Sequence, residues 1–299
     1  MLCKKCTETA IFDTPSLCKL HFSMYIEGKV FDTIKRFKLI SPKEKIVVAA
    51  SGGKDSLTLL HILSKRFNPR CLAIDEGITG YRDNTLTTLK EFCLQRKIKL
   101  MVVSYKSEFG GELGNYLNGK GSPCSVCGTL RRYLLNKYAK GYDKLCTGHN
   151  MDDEAQAIIM NFLKPNIETM TKTGYKSGIT YNDIFVQRVK PFYFIKEKEI
   201  VTYAHLNNIP MGFDECPHAV YSYRAKIRDL LNEYEAKYPG TKENIIDFFL
   251  SIREKIKHLI KERDINLCNY CGEPAKGEVC NTCKIVRTHS NFINLSTKK

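Results

Sequence analysis

The sequence predicts an α/β fold in which helices cover both faces of a parallel sheet, with a small cysteine-rich module at each end of the chain. Two observations carry this prediction. Between about residues 45 and 165, short apolar segments rich in β-branched residues alternate with longer helical segments, which is typical of a parallel sheet with crossover helices. Near both termini, cysteines recur at the two-residue spacing of metal ligands.

The elements of the core follow one another in a regular order. A helix over residues 22–40 leads into the core. Strands are expected at 45–50, 70–75, 99–105 and 143–149, and helices at 56–67, 84–97 and 125–140. Residues 184–192 then predict a further sheet-edge segment, and residues 220–263 are helical and basic.

Residues 46–56 read IVVAASGGKDS, an apolar strand that runs directly into a glycine-rich turn. Glycines let backbone N–H groups crowd around an anion, and the helix that follows points its positive end at the same place. The spacing does not match the Walker A loop, G-x-x-x-x-G-K-[ST]. SGGKDS matches instead the pyrophosphate loop of enzymes that split ATP into AMP and pyrophosphate.

Two further motifs follow predicted strands, DEG at 75–77 and TGHN at 147–150. In an open α/β sheet, ligands bind at the carboxyl ends of the strands. We therefore expect SGGKDS, DEG and TGHN to converge on one crevice.

The composition indicates a basic protein outside the membrane. The 299 residues are 43% hydrophobic and 26% charged, and no apolar run approaches the length of a membrane span. The first residues do not resemble a signal peptide, so we expect a cytoplasmic protein. With 47 Lys and Arg against 32 Asp and Glu, the net charge of +15 suits a polyanionic partner, above all nucleic acid.

Two sets of four residues, one near each terminus, have the spacing of structural zinc ligands. The N-terminal set has the pattern C-x2-C-x11-C-x2-H and consists of Cys3, Cys6, Cys18 and His21. The C-terminal set has the pattern C-x2-C-x8-C-x2-C and consists of Cys268, Cys271, Cys280 and Cys283. Four protein ligands indicate structural zinc, and each module has too little apolar surface to fold without metal. Iron or a disulfide is the competing interpretation. We expect both modules to help dock RNA or a partner subunit.

A third cysteine pair, Cys124 and Cys127 in PCSVCG, precedes a basic helix. A further ligand must come from elsewhere, and Cys216 in DECPH is the candidate. Three thiolates on an iron–sulfur cluster would leave one iron without a protein ligand, free to hold sulfide or another exogenous group. The alternative is a redox or persulfide pair, with a thiolate of low pKa at the helix N-terminus.

Taken together, these motifs resemble a known family. SGGKDS, the PCSVCG pair with a distant third cysteine, GHNMDDEAQ at 148–156 and the two terminal modules resemble the TtuA/NcsA group of tRNA 2-thiouridine synthetases. That group includes the eukaryotic cytoplasmic tRNA 2-thiolation enzymes, and the resemblance covers essentially the whole chain. It implies a pyrophosphate-loop α/β domain (adenine nucleotide alpha-hydrolase-like) flanked by two zinc fingers, a [4Fe–4S] cluster on the three cysteines, and a homodimer.

The activity that this resemblance implies is ATP-dependent 2-thiolation of a tRNA uridine. ATP would adenylate the poorly electrophilic C2 carbonyl oxygen, and pyrophosphate would leave into the SGGKDS loop. Sulfide held on the open iron would then attack C2 and displace AMP. The sulfur would come from free sulfide or from a ubiquitin-like carrier protein. The modified uridine is expected at wobble position 34, with the T-loop position 54 as the alternative.

The resemblance also implies roles for residues of the motifs. Lys54 would neutralise the departing pyrophosphate, while Asp55 and Asp153 would bind Mg2+ or position the nucleotide. The phosphates would be cradled by Ser51, Gly52, Gly53 and Ser56.

Four more residues are expected around the nucleotide. Ala49 and Ile74, at strand ends, would meet adenine and ribose through backbone contacts, and Gly148 would allow the nucleotide to approach closely. Arg131, one turn past Cys127, would reach the phosphates from the side of the cluster. The family pattern has Lys at this position, so Arg is a departure that keeps the charge.

We divide the chain into four parts. These are an N-terminal zinc finger at 1–25, a pyrophosphate-loop ATPase domain with the iron–sulfur site at 26–220, a basic helical tRNA-binding segment at 221–265, and a C-terminal zinc finger with a tail at 266–299. In the third part, Arg224 and Arg228 stand four residues apart on one helix face, as expected of residues that grip tRNA phosphates.

Two other functions stay open at this point. A lysidine-forming or amidotransferase-like ATP pyrophosphatase also uses SGGKDS, but it has no need for Cys124, Cys127 and Cys216. A zinc-knuckle RNA-binding protein with a relic nucleotide fold would be non-enzymatic, and it would tolerate Lys54→Ala.

Overall fold

The computed structural model describes residues 1–117, 122–165, 167–177, 185–212, 215–219, 222–257 and 266–288. The strands are β1 (Phe12–Asp13), β2 (Ser16–Leu17), β3 (Ile46–Ala49), β4 (Arg70–Asp75), β5 (Leu100–Ser104), β6 (Lys144–Thr147), β7 (Lys176–Ser177), β8 (Gln187–Val189), β9 (Asn266–Leu267) and β10 (Pro274–Ala275). The helices are α1 (Lys19–Arg36), α2 (Lys54–Ser64), α3 (Arg82–Gln95), α4 (Tyr105–Phe109), α5 (Pro123–Ala139), α6 (Met151–Leu163), α7 (Ile167–Thr171), α8 (Glu197–Leu206), α9 (Tyr223–Lys237), α10 (Thr241–Lys257) and α11 (Asn281–Thr288), with a 3-10 turn at Leu113–Tyr116.

Six strands form the central sheet, in the order β5-β4-β3-β6-β8-β7. All neighbours pair in parallel except β7, which runs antiparallel to β8 at the edge. The predicted α/β class with a mostly parallel sheet is therefore confirmed. The segment predicted at 184–192 forms β8 of this same sheet, although residue 184 itself lies outside the described residues. It does not form the edge, because β7 pairs along its other side.

The middle strand shows why the sheet is apolar on both faces. Along β3, Ile46 and Val48 point into one core, which also contains Leu57 of α2 and Ile200 of α8. Val47 points into the core on the other face, together with residues of α5. Because side chains alternate across a strand, a continuous apolar run fits a strand that helices cover on both sides.

Each terminal module is a two-stranded hairpin followed by a helix. In the N-terminal module, α1 starts directly after Cys18 and runs on into the domain core, where Phe22, Ile26 and Val30 are fully buried. In the C-terminal module, Val286 of α11 packs into the same core as α5. Both modules are thus attached to the central domain through apolar contacts.

Some element boundaries differ from the predictions. The first helix starts at Lys19 and ends at Arg36, so both of its ends come earlier in the sequence than those of the predicted helix at 22–40. The helical stretch predicted at 220–263 is two helices within the described residues, α9 and α10, because the chain turns at Gly240, whose φ is +95°. No helix in the described part of the chain combines the length and apolar character needed to cross a membrane.

Candidate active site

The SGGKDS loop connects β3 to α2 at the carboxyl edge of the sheet. Gly52 has φ of +89°, and a Cβ there would lie 2.1 Å from the carbonyl oxygen of Thr85. Only glycine fits this position without displacing the neighbouring backbone. Gly53 is the N-cap of α2 and its carbonyl oxygen accepts a bond from Ser56 Oγ at 2.9 Å. The loop thus directs the N-terminus of α2 at the edge of the sheet, where it favours an anion.

A cavity of about 260 Å³ opens beside this loop. Three segments that follow strands meet there, as the sequence motifs predict. The predicted site residues that line the cavity are Ala49, Ser51, Asp55, Ser56, Ile74, Arg131, Gly148 and Asp153. Gly52, Gly53 and Lys54 stand in the same loop but do not line the cavity.

Lys54 is held by two carboxylates. Its Nζ lies 2.7 Å from Glu197 Oε1 and 3.1 Å from Asp55 Oδ2. Burial alone would lower the pKa of Lys54, but the charges of Asp55 and Glu197 outweigh burial and raise it. Lys54 therefore carries a positive charge beside the phosphate loop.

Asp55 and Asp153 face each other across the cavity. Burial raises the pKa of Asp55, Lys54 opposes this, and the negative charge of Asp153 adds to the rise. Burial likewise raises the pKa of Asp153, against the opposing charge of Arg224, whose Nη1 lies 3.6 Å from Asp153 Oδ1. Two carboxylates that line one cavity beside a phosphate loop are suited to hold a divalent cation together.

Asn150 connects these two carboxylates. Its side-chain oxygen accepts a hydrogen bond from the Asp153 N–H at 3.0 Å and caps α6. Its Nδ2 donates to Asp55 Oδ1 at 3.3 Å. The cap therefore fixes Asp153 relative to Asp55. The N-x-x-D spacing is compatible with the cap, but it does not indicate the contact with Asp55.

Gly148 allows two backbones to meet. A Cβ there would lie 3.1 Å from the carbonyl group of Asp55 and from the N–H of Ser56. The turn between β6 and α6 thus packs directly on the first turn of α2. The backbone contact explains glycine at this position, and its role in nucleotide approach stays a prediction.

His149 also lines the cavity, next to Gly148. Its Nδ1 lies 2.9 Å from Thr147 Oγ1. Desolvation by the cavity wall and the charge of Lys190 lower the pKa of His149 to about 4. The imidazole is therefore neutral near pH 7 and can act as a hydrogen-bonding group.

A chain of charged side chains, two of them buried, joins the cavity to the central cysteines. Arg82 is 3% exposed, donates hydrogen bonds to the carbonyl oxygens of Ser51 and Ile74, and pairs with Glu76 at 3.1 Å. Glu76 also pairs with Arg131 at 2.7 Å. Arg131 lines the cavity and donates from Nη2 to the sulfur of Cys127 at 3.4 Å.

The three cysteines predicted to hold a cluster lie around the N-terminus of α5. Cys127 is buried and packs in the same apolar cluster as Cys216. Cys124 is exposed, and its sulfur lies 3.5 Å from the carbonyl oxygen of His218, two residues past Cys216. The two thiols of α5 therefore face the loop that carries the third.

The spacing of these three thiols separates a cluster from a single ion. They do not all lie within 4.8 Å of one another, so they do not form a compact one-ion site by themselves. An iron–sulfur cluster binds each cysteine to a different iron, and it needs wider separation than a single zinc. Three thiols around the N-terminus of one helix are the donor type that an iron–sulfur cluster binds.

Cys127 has further partners besides these thiols. Tyr105 Oη donates to its carbonyl oxygen at 2.8 Å and lies 3.8 Å from its sulfur. Donors around a metal-bound sulfur are typical of second-layer contacts in metal sites. Burial raises the pKa of Cys127, and the charge of Arg131 opposes this rise.

The N-terminal module presents four donors that fit one zinc ion. The sulfurs of Cys3, Cys6 and Cys18 and Nδ1 of His21 all lie within 4.8 Å of one another. Tetrahedral zinc with Zn–S bonds of about 2.3 Å holds its sulfur ligands about 3.8 Å apart. The sulfurs of Cys6 and Cys18 are 3.7 Å apart, which matches this geometry.

The C-terminal module fits zinc in the same way, with four sulfurs that also lie within 4.8 Å of one another. The sulfurs of Cys271 and Cys280 are 3.7 Å apart. Backbone N–H groups of Cys280 and Cys283 point at sulfurs of the set, as they do when thiolates need donors.

Three site residues were not singled out from the sequence. Glu76 belongs to the DEG segment, which was predicted to reach the crevice. Its pairing with Arg82 and Arg131 was not predicted. Arg82 and Glu197 stand at the starts of α3 and α8, outside the motifs, and nothing in their sequence context signals a role. They were found only because the fold brings them to Ser51 and Lys54.

Comparison with known proteins agrees with this picture of a nucleotide-binding PP-loop protein. The PP-loop domain family matches residues 26–234. The chain is 37% identical to the tRNA-5-methyluridine(54) 2-sulfurtransferase of Pyrococcus horikoshii, over 99% of this chain and 98% of that one. It is 34% identical to the cytoplasmic tRNA 2-thiolation protein 1 of Drosophila sechellia, over 95% of this chain and 87% of that one.

A solved structure is similar over the same length. The U34-tRNA thiolase NcsA from Methanococcus maripaludis, solved with its [4Fe–4S] cluster, superposes with a TM-score of 0.83 at 28% identity and covers 96% of each chain. The chain belongs to the PP-loop family, in the group of tRNA 2-thiolation proteins that contains these relatives. The resemblance predicted from the motifs is confirmed.

Proposed function

We propose that this protein is an ATP-dependent tRNA sulfurtransferase that converts a uridine to 2-thiouridine, releasing AMP and pyrophosphate. The single observation that carries the proposal is Arg131, which lines the cavity beside the SGGKDS loop and contacts the sulfur of Cys127. A pocket suited to adenylation and a set of cysteines suited to sulfur delivery therefore lie against each other. Neither a plain ATP pyrophosphatase nor an RNA-binding protein needs this arrangement.

Residues of the cavity would activate the uridine. The SGGKDS loop and Lys54 would hold the leaving pyrophosphate, with Ser51, Gly52, Gly53 and Ser56 around its oxygens. Asp55 and Asp153 would hold Mg2+, which would neutralise phosphate charge. Ala49 and Ile74 would contact the nucleoside from strand ends, and Gly148 would let it approach.

The cysteines would deliver the sulfur. A [4Fe–4S] cluster bound by Cys124, Cys127 and Cys216 supplies a soft iron site that no cysteine occupies. Arg131 would stand between this group and the phosphates, and it would neutralise negative charge on either side. Tyr105 would fix the start of α5 through its bond to the carbonyl oxygen of Cys127.

The substrate would dock on the basic parts of the chain. We keep the division into an N-terminal zinc finger (1–25), an ATPase core (26–220), a helical tRNA-binding segment (221–265) and a C-terminal zinc finger with tail (266–299), of which 258–265 and 289–299 lie outside the described residues. Arg224 of α9 reaches Asp153, which puts this segment at the cavity, and Arg228 pairs with Glu215.

Further features of the proposal come from the family and the donor sets. Zinc would occupy both terminal modules, whose geometry fits it. The protein would act as a cytoplasmic homodimer and receive sulfur as sulfide or from a ubiquitin-like carrier.

The modified position is proposed to be wobble uridine 34. The Methanococcus maripaludis structure, which covers 96% of this chain, is a U34 thiolase. Position 54 is the second candidate, because the Pyrococcus horikoshii relative is a position-54 enzyme. Mass spectrometry of tRNA fragments from a deletion strain decides between them, since only one position would lose its 2-thio group.

The test of the function itself is a reconstitution. The protein purified without oxygen should be brown, contain iron and labile sulfide, and thiolate tRNA in the presence of ATP and sulfide. Asp55→Ala and Cys127→Ala should each abolish thiolation and leave tRNA binding nearly unchanged. Retained thiolation in either variant would contradict the assignment.

A further inference from the structure

A second cavity, of about 350 Å³, lies between α5, β8 and the C-terminal module. Five cationic side chains line it, namely Arg132, Arg188, Lys172, Lys276 and Lys284. The carboxylate of Glu273 also lines it, but this group is paired with Lys140 at 2.5 Å. The lining therefore carries a surplus of positive charge.

Two of these cations are arginines whose residues contact each other. Arg188 donates from Nη2 to the carbonyl oxygen of Arg132 at 3.2 Å, which ties β8 to α5. The guanidinium of Arg132 lies over Gly128, where a Cβ would be 3.1 Å from Nη1. Gly128 follows Cys127 directly, so this guanidinium is held within one turn of the proposed cluster site.

Neither arginine has a carboxylate partner in the part of the chain that the structure describes. Lys172 and Lys276 are different, because both pair with Glu168, at 2.9 and 2.6 Å. Desolvation and the charge of Arg132 lower the pKa of Arg188 to about 10, and desolvation with the charge of Arg131 lowers that of Arg132. Cations that destabilise one another in this way are stabilised by a bound anion.

The helix α11 adds to the same field. It begins at Asn281, and both Asn281 and Thr282 line the cavity. The positive end of a helix favours an anion, as do the forked donors of two guanidiniums. Three independent elements thus direct positive charge at one space.

We propose that this cavity binds backbone phosphates of the tRNA strand next to the uridine being modified, and so positions that strand on the cluster side of the active site. The inference rests on the proposed function. RNA fits better than the carboxylate tail of a protein, because a nucleic acid backbone brings successive negative charges to a lining with several cations.

The test is the double variant Arg132→Gln/Arg188→Gln in the full-length holoprotein. The variant loses two charged contacts to phosphate, so we expect tRNA affinity to fall at least about tenfold. The slope of log affinity against log salt should become shallower by about 2, roughly 1 for each phosphate contact that is lost, because fewer counterions are released. ATP affinity and iron content should stay at wild-type values.

A matched control removes the same charge from the other end of the sheet. Lys90→Gln/Lys99→Gln lies on and after α3, next to β5, and both side chains are exposed. This control should bind tRNA nearly as the wild type does. The variant Arg132→Lys/Arg188→Lys keeps the charge and should restore most of the affinity, which a purely structural role of the arginines would not predict.

The outcomes separate this inference from the proposed function. Normal tRNA affinity and salt slope in the glutamine double variant would overturn the inference and leave the function standing. If this variant keeps normal tRNA affinity but no longer accepts sulfur from a carrier-protein thiocarboxylate, the cavity binds a protein tail instead. That outcome would also overturn the inference. Failure of the wild type to bind tRNA would overturn the function, and the inference with it.

Discussion

Lys54 Nζ lies 2.7 Å from Glu197 Oε1, so the lysine of the phosphate loop is paired with a carboxylate from α8, 143 residues further along the chain. A carboxylate occupies part of the space around the ammonium that a leaving pyrophosphate needs. Nucleotide binding therefore has to displace this pair or tolerate its charge. The side chain of Glu197 is 42% exposed, so displacing it from Lys54 costs little free energy.

We expect Glu197→Gln to bind ATP more tightly than the wild type. The pair is partly exposed and contributes at most about 1 kcal/mol, so the gain in affinity should be up to roughly fivefold. Titration of ATP by calorimetry measures it. Glu243→Gln, which removes an exposed carboxylate that pairs with Lys196, is the control and should not change ATP affinity. An unchanged or weaker affinity of Glu197→Gln would show that the carboxylate does not compete with phosphate.

Gly52→Ala should unfold the phosphate loop locally and remove ATP binding. The new Cβ would meet the carbonyl oxygen of Thr85 at 2.1 Å, in addition to the strain of φ at +89°. We expect a loss of unfolding free energy of roughly 2 kcal/mol or more, measured by chemical denaturation.

The control Gly80→Ala separates the effect of backbone strain from that of steric overlap with a neighbouring atom. Gly80 also has a positive φ, of +78°, but a Cβ there meets no atom within 4 Å. It should cost only about 1 kcal/mol and keep ATP binding. Equal effects of the two variants would contradict the collision argument.

With zinc in both terminal modules, as proposed, Cys283→Ser should lower the zinc content from two ions per chain to one. Elemental analysis of the purified protein measures this directly. The variant should also lose stability, because α11 packs on α5 only when the module is folded. Cys93→Ala changes a buried cysteine of α3 outside both metal sets, so it should keep both zinc ions.

His61 makes stability depend on pH. Burial and the charges of Lys65 and Arg96 lower the pKa of His61 to about 4, from an ordinary value of 6.5. Below pH 6.5 the unfolded chain binds a proton that the folded chain does not, so stability falls as the pH drops from 6.5 to 4.

We expect the wild type to lose roughly 1 kcal/mol more unfolding free energy than His61→Gln between pH 7 and pH 5, after allowance for solvent screening. Denaturant titrations at the two pH values give the difference. Parallel losses in both proteins would mean that His61 does not cause the acid sensitivity.

Much of the fold was predictable because both faces of the sheet are covered. The run Ile46 to Ala49 is apolar at every position, which distinguishes a buried parallel strand from an edge. Helix ends were harder to place. Residue 19 is polar and gives no amphipathic signal, yet α1 starts there because the metal-ligand segment directly precedes it.

Site residues that belong to local sequence motifs were predictable. Site contacts that depend on how distant elements pack together were not. Ser51, Asp55 and Gly148 follow strands, and a parallel sheet brings such positions together. The pairing of Arg82 with Glu76, and of Lys54 with Glu197, depends on where whole helices lie. A single sequence holds no periodic signal for contacts of that kind.

Helix α1 begins inside the N-terminal module and reaches the domain core without a break. Its N-cap, Cys18, makes no side-chain capping bond, and His21 follows in the first turn. A metal bound to both would fix the first turn, which is the costly nucleation step of any helix. Zinc binding would then promote folding of the apolar cluster that α1 joins. Refolding of the chain should therefore be faster when the metal is supplied.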